Sequence, residues 1–152
     1  MLAIISDYVQ SEGDAQPHLR RIAEVGFTHI HWCHNWTTDF IYSDHEILEI
    51  ESWFKEFGLR LLSLLASHGK EKHWISQSEY QRLAGIDLVQ NRIQITARLS
   101  GDVVIIRIPT TCPRETRASW KLQIRKSLDQ LEPYARIRAI CIALENMPGD
   151  DW

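Results

Sequence analysis

The carboxylate of Glu145 is the side chain best placed in this sequence to do chemistry. It closes the run Ile137 to Leu144, in which only Arg138 is charged. A continuous Ile-rich run reads as a buried strand that carries its last side chain to the strand's C-terminal end, where α/β proteins keep their sites. A carboxylate is costly to bury alone, so Glu145 calls for a cation, a metal ion or an exposed strand end. It suits metal ligation or proton transfer. Arg107 ends a second apolar run that starts at Val103; it suits a phosphate or carboxylate group, or an ion pair with Glu145 itself.

Histidines supply the other candidates. His68 follows a third apolar run, Leu59 to Ala66, and could ligate a metal, bind a hydroxyl or cap a loop. The densest cluster is His29, His31 and His34. On a strand His29 and His31 share one face, and His34 falls just past the strand's end, the best place for function. A His-x-His pair with no fixed carboxylate is a weak metal signal, so hydrogen-bonded barrel-interior or loop residues are the simpler reading of the pair. Trp32, Trp36 and Trp74 lie near strand ends, where an indole could stack on a sugar or pack a loop. The chain carries no Gly-rich phosphate loop, no G-x-S-x-G elbow and no H-E-x-x-H pair.

These residues need strand ends to hold them, and the apolar pattern supplies five. Strands are predicted at Leu2–Ser6, Thr28–Trp32, Leu59–Ala66, Val103–Ile108 and in the run that ends at Glu145. Between them lie four amphipathic helical stretches. The first opens near Pro17 and stops at Gly26; the second opens on a capping box of Ser43 and Glu46 and stops at Gly58. The third is predicted from about Glu79 to Leu99 behind a second box of Ser76 and Glu79, with Gly85 weakening it internally. The fourth opens near Pro113, with Trp120, Ile124, Leu128, Leu131 and Ala135 as its apolar stripe. A helix, Gly, strand unit recurs at Gly26, Gly58 and Gly101.

Alternating strands and helices predict a parallel α/β sheet with its site at the C-terminal strand ends. Two architectures compete: about five strands of an incomplete (β/α)8 TIM barrel, and a five-stranded doubly wound sheet. The second normally covers both sheet faces, and no fifth helix follows Glu145, so the partial barrel is favoured. With 152 residues, 44% hydrophobic and 24% charged, residues 1–152 read as one domain with a sizeable core. A net charge of −3 without a basic block argues against nucleic acid, and no apolar run is long enough to span a membrane. Cys33, Cys112 and Cys141 form neither a disulfide framework nor a zinc knuckle. A cytoplasmic location is expected.

The chain resembles the xylose isomerase-like TIM barrels, a family of sugar phosphate isomerases and epimerases that also includes the endonuclease IV type of DNA repair enzyme. The likeness rests on Ala23–Phe27 leading into strand two, Glu56–Leu59 into strand three, Ser100–Ile105 into strand four, and above all Ala143–Asn146 followed by Pro148 and Gly149. It implies that Glu145 is a metal ligand and one of two proton-moving carboxylates, and that an Asp, a His and a second Glu come from strands six to eight. The implied metal is Mn, Mg, Co or Zn. His68 matches a position where the family often has His, whereas Arg107 stands near a place where endonuclease IV-like members carry a metal-binding His, and strand two ends in His31 where Glu is common. Sugar chemistry is therefore favoured over DNA repair.

The expected function is that of a sugar or sugar phosphate isomerase/epimerase, with Glu145 catalytic and metal-binding and with His68, Arg107, His34 and Trp32 holding substrate. This chain alone is expected to be inactive. The alternative is a non-catalytic truncated or split barrel that self-associates or pairs with a C-terminal half, since open strand edges invite pairing.

Overall fold

A computed structural model describes residues 2–8, 14–33, 41–66, 73–108 and 114–145. Strands β1 (Ala3–Ile5), β2 (His29–Trp32), β3 (Arg60–Leu65), β4 (Val103–Arg107) and β5 (Cys141–Glu145) alternate with helices α1 (Gln16–Glu24), α2 (Asp44–Glu56), α3 (Glu79–Arg98) and α4 (Arg117–Arg136). A single 3-10 turn at Arg114–Thr116 precedes α4.

Local signals account for most of the helix boundaries. At α2 the capping box forms as its spacing predicts: Glu46 N–H donates to Ser43 Oγ at 3.3 Å, and Ser43 N–H to Glu46 Oε2 at 2.7 Å. The second box does not form. Ser78 caps α3 without a side-chain bond, and Ser76 Oγ instead reaches Gln81 Oε1 at 2.7 Å. The helix starts one residue after Ser78, so Glu79 is its first residue rather than the third that a box requires, and Arg82 and Lys126 hold its carboxylate, which keeps its pKa down at about 2.

All four helices end in the same bonded turn, with two backbone N–H groups reaching back over the last helical turn. The outer bonds run from Phe27 to Ile22 O, Leu59 to Phe54 O, Gly101 to Thr96 O and Ile140 to Ala135 O. The residue that turns left-handed is Gly26, Gly58, Ser100 or Ala139. Gly101 therefore does a different job from Gly26 and Gly58. A Cβ there would lie 2.7 Å from the Leu61 side chain, so this glycine permits close packing rather than a positive φ. The fourth turn also corrects the start of the last strand: Ile137 caps α4, and β5 begins only at Cys141.

The sheet order is β1-β2-β3-β4-β5, and every pairing is parallel. That order decides between the two architectures. A doubly wound sheet reverses direction at a switch point, whereas a barrel adds each strand beside the one before it. The chain forms an open, five-stranded part of a barrel.

One sheet face packs on the helices. Ile30, Trp32, Leu61 and Leu64 join α1, α2 and the end of α3 in one core cluster, and Val104 and Ile106 join α3 and α4 in a second. The opposite face carries His29, His31, Ser63, Ile105, Arg107, Ala143 and Glu145. A bulge sorts β3 between the two faces. Ile30 pairs with Leu61 but His31 pairs with Ser63, so Leu62 is an extra residue. Regular alternation through Leu62 would instead turn Ser63 into the core and Leu64 out of it.

Candidate functional site

The C-terminal ends of β4 and β5 bring two predicted site residues together. Arg107 and Glu145 are register partners, and Arg107 Nε donates to Glu145 Oε2 at 2.5 Å. The pair is 36% and 39% exposed, so it lies on the open face and within reach of a ligand. The backbone closes the same rung, with Ile108 N–H donating to Glu145 O at 3.0 Å.

A buried scaffold fixes this strand end from behind. Trp74 Nε1 donates to Arg107 O at 3.2 Å, and Ser127 Oγ of α4 donates to Trp74 O at 2.5 Å. Arg82 of α3 donates in turn to Ser127 Oγ at 3.0 Å, with its guanidinium fully buried and balanced by Glu79. Gly85 makes room for the arrangement: a Cβ there would come within 2.3 Å of Trp74 N. The glycine that weakens α3 in the sequence is thus required by contact with a neighbouring segment.

On the same face, His31 Nδ1 and Ser63 Oγ share a hydrogen bond at 2.7 Å. Burial lowers the His31 pKa below its ordinary 6.5, and Arg107 adds to the effect, while Glu145 and Asp7 oppose it. Burial thus favours the neutral form of His31, which lies within electrostatic reach of the Arg107–Glu145 pair. Asp7 accepts the Cys33 thiol at 2.8 Å; burial, then this bond, pushes the thiol's pKa up to about 11. His29 is satisfied locally, its Nδ1 lying 2.8 Å from Thr28 Oγ1.

The remaining predicted site residues fall elsewhere. His34 and His68 lie outside the described residues, as does Trp36. Trp32 faces the core, not the open strand ends where a substrate would lie. It is 1% exposed on the helix-facing side, its ring beside Phe54 and its Nε1 bonded to Tyr42 Oη at 3.2 Å. Alternation explains this: if His29 and His31 face outward, Trp32 must share the core side with Ile30. Trp74 is likewise buried, as scaffold.

A divalent metal does not fit these residues alone. Among the described residues no three His, Cys, Asp or Glu side chains are grouped to hold one, and the single carboxylate at the β5 end is already paired with a guanidinium.

Comparison with known proteins places the fold. A family model for the xylose isomerase-like TIM barrel matches residues 19–152. The uncharacterized protein y4fM of Sinorhizobium fredii (strain NBRC 101917 / NGR234) is 27% identical over 150 residues, covering 83% of this chain and 48% of that protein. A crystal structure of D-psicose 3-epimerase in the presence of D-fructose superposes with a TM-score of 0.76 at 19% identity, over 99% of this chain and 54% of the other. A xylose isomerase-like TIM barrel protein from Mycobacterium smegmatis in complex with magnesium gives 0.62 at 18% identity, over 85% and 45%. The chain spans about half the length of these relatives. Five parallel strands in sequential order, helices on one face, polar strand ends on the other and a family match over most of the sequence lead to one conclusion: the chain belongs to the xylose isomerase-like TIM barrel family.

Proposed function

We propose that residues 1–152 form one domain that contributes the first five strands of a sugar or sugar phosphate isomerase/epimerase. The observation that carries this reading is the Arg107–Glu145 pair on the open strand ends. Glu145 supplies a carboxylate able to take and return a proton beside a sugar carbonyl, and Arg107 holds that carboxylate in place. His68 and His34 complete the substrate-binding set. The fold similarity to a sugar epimerase supports the substrate class. A divalent ion such as Mn, Mg, Co or Zn belongs to the complete barrel in this reading: Glu145 is one ligand, and the others come from strands this chain does not contain. The chain alone is catalytically silent, and a cytoplasmic location accompanies the reading.

The test supplies the remaining strands. The chain is fused to strands six to eight of the D-psicose 3-epimerase neighbour, and deuterium uptake from solvent into D-fructose is followed by NMR. Exchange in the fusion, its absence in the chain alone and its loss in a Glu145→Gln fusion are expected. A folded fusion that exchanges nothing, or exchanges equally well as Glu145→Gln, rejects the reading.

A second reading, a non-catalytic part that self-associates or pairs with a C-terminal half, is favoured by the sheet edges. Among the described residues strands β1 and β5 each have one strand neighbour, and beside β5 an apolar groove of about 560 Å³ runs along α4, with Leu144 45% exposed. Such an edge and face invite another chain.

A further inference from the structure

His31 stands on the open face with one ring nitrogen engaged and the other unused. Nδ1 shares its hydrogen bond with Ser63 Oγ at 2.7 Å, and the ring makes no other hydrogen bond among the described residues. Nε2 is not buried either, so it meets solvent on that face. The support behind the ring is built into the sheet. Ser63 is 8% exposed, and it stands opposite His31 because the bulge at Leu62 turns it out of the core. An imidazole held at one nitrogen presents the other in a fixed direction, the arrangement that a ligand-binding ring requires.

The charges around the ring narrow what Nε2 can take. Those acting on it are Glu145, Arg107 and Asp7, two negative against one positive, and burial favours the neutral imidazole. Arg107 is already paired with Glu145, and Asp7 accepts the Cys33 thiol. Among the described residues around His31 no surplus positive charge is therefore left for a phosphate or carboxylate group. A hydroxyl fits. It both donates and accepts, so it suits either tautomer of the ring. We propose that His31, aimed by Ser63, is a specificity-determining residue whose Nε2 hydrogen-bonds to a hydroxyl at an uncharged end of the sugar substrate. This rests on the reading of the open strand ends as a sugar site and narrows it, since any phosphate the substrate carries then lies away from His31. The Leu62 bulge acquires a function as well: it places the one side chain that holds the ring.

The test is NMR on the whole chain. Saturation transfer to D-fructose measures its affinity for the wild type, His31→Phe, Ser63→Ala and Glu145→Gln, and the isotope-labelled His31 imidazole is followed in titrations with D-fructose and with inorganic phosphate. D-fructose is expected to move the Nε2 resonance to saturation, and phosphate to leave it in place. His31→Phe should weaken D-fructose binding about three- to tenfold, the range of one hydrogen bond between neutral groups. Ser63→Ala removes only the support and should weaken it about twofold, which keeps the test open if His31→Phe does not fold. Binding that needs Glu145 but is equal in the wild type and His31→Phe, with the Nε2 resonance unmoved, overturns the role of His31 and leaves the sugar site standing. Binding indifferent to both residues overturns both readings. No binding by the wild type overturns this inference alone, because deuterium exchange in the fused barrel judges the sugar reading separately. A shift of the Nε2 resonance by phosphate as large as that by D-fructose overturns the preference for an uncharged end.

Discussion

Trp74 and Arg107 are joined by a hydrogen bond from indole Nε1 to backbone carbonyl at 3.2 Å, so a buried aromatic on the helix side sets the height of the guanidinium on the open side. Trp74→Phe removes the donor while keeping much of the ring. It should cost roughly 1–3 kcal/mol in urea unfolding, the usual range for a buried carbonyl that loses its partner.

Gly85→Ala tests the same support from α3. Alanine is the better helix former, so on propensity alone the variant would gain stability. The Cβ, however, would be driven against the Trp74 backbone, with Trp74 N only 2.3 Å away. A net loss of about 1–3 kcal/mol is expected by thermal or urea melting, as for other overpacked sites.

His31 makes stability depend on pH. Burial lowers its pKa in the folded state, so the unfolded chain binds the proton more readily. The contribution of the neutral ring is present above the unfolded value of about 6.5 and is lost as pH falls through that value toward the folded one. Comparing His31→Gln with wild type by urea unfolding at about pH 8 and about pH 5.5 isolates this group, and the wild type should lose more stability on acidification.

Cys33 should be slow to alkylate. Its pKa is raised from 9.0 to about 11, so its thiolate fraction at about pH 8 is reduced about a hundredfold. Exposed Cys141 serves as the internal reference for iodoacetamide labelling read by mass spectrometry. Asp7→Asn removes the carboxylate beside the thiol and should speed Cys33 labelling.

The elements were legible because their signals are local. Apolar runs and helix ends near Gly26 and Gly58 place five strands and four helices in order, and the last positions of β4 and β5 carry Arg107 and Glu145 whatever the sheet order. The pairing between those two was one of the alternatives their charges offered. Other features depend on contacts distant in sequence. The extra residue Leu62 changes which β3 side chains face the core, yet nothing in the run Leu61 to Leu65 marks it. Ser76 and Glu79 have the spacing of a capping box, but the helix starts at Glu79 behind Ser78, and Arg82 and Lys126 take the carboxylate. The role of Trp32 was readable in principle, since the alternation His29, Ile30, His31, Trp32 already opposes it to the histidines. The His31–Ser63 bond and the Trp74 support had no such signal, because both require the sheet to be assembled first.

The sequential strand order also bears on how the chain folds. Every strand pairs with its immediate predecessor, so each sheet contact closes a loop of one strand-helix-strand unit and none waits for a distant segment. Each pairing spans a whole helix and so is not a local contact, but an ordered series of such closures can form while a chain is still emerging from the ribosome. Synthesis can therefore lay down β1 to β5 in the order in which they pair, so that Arg107 is already in place on β4 when Glu145 arrives.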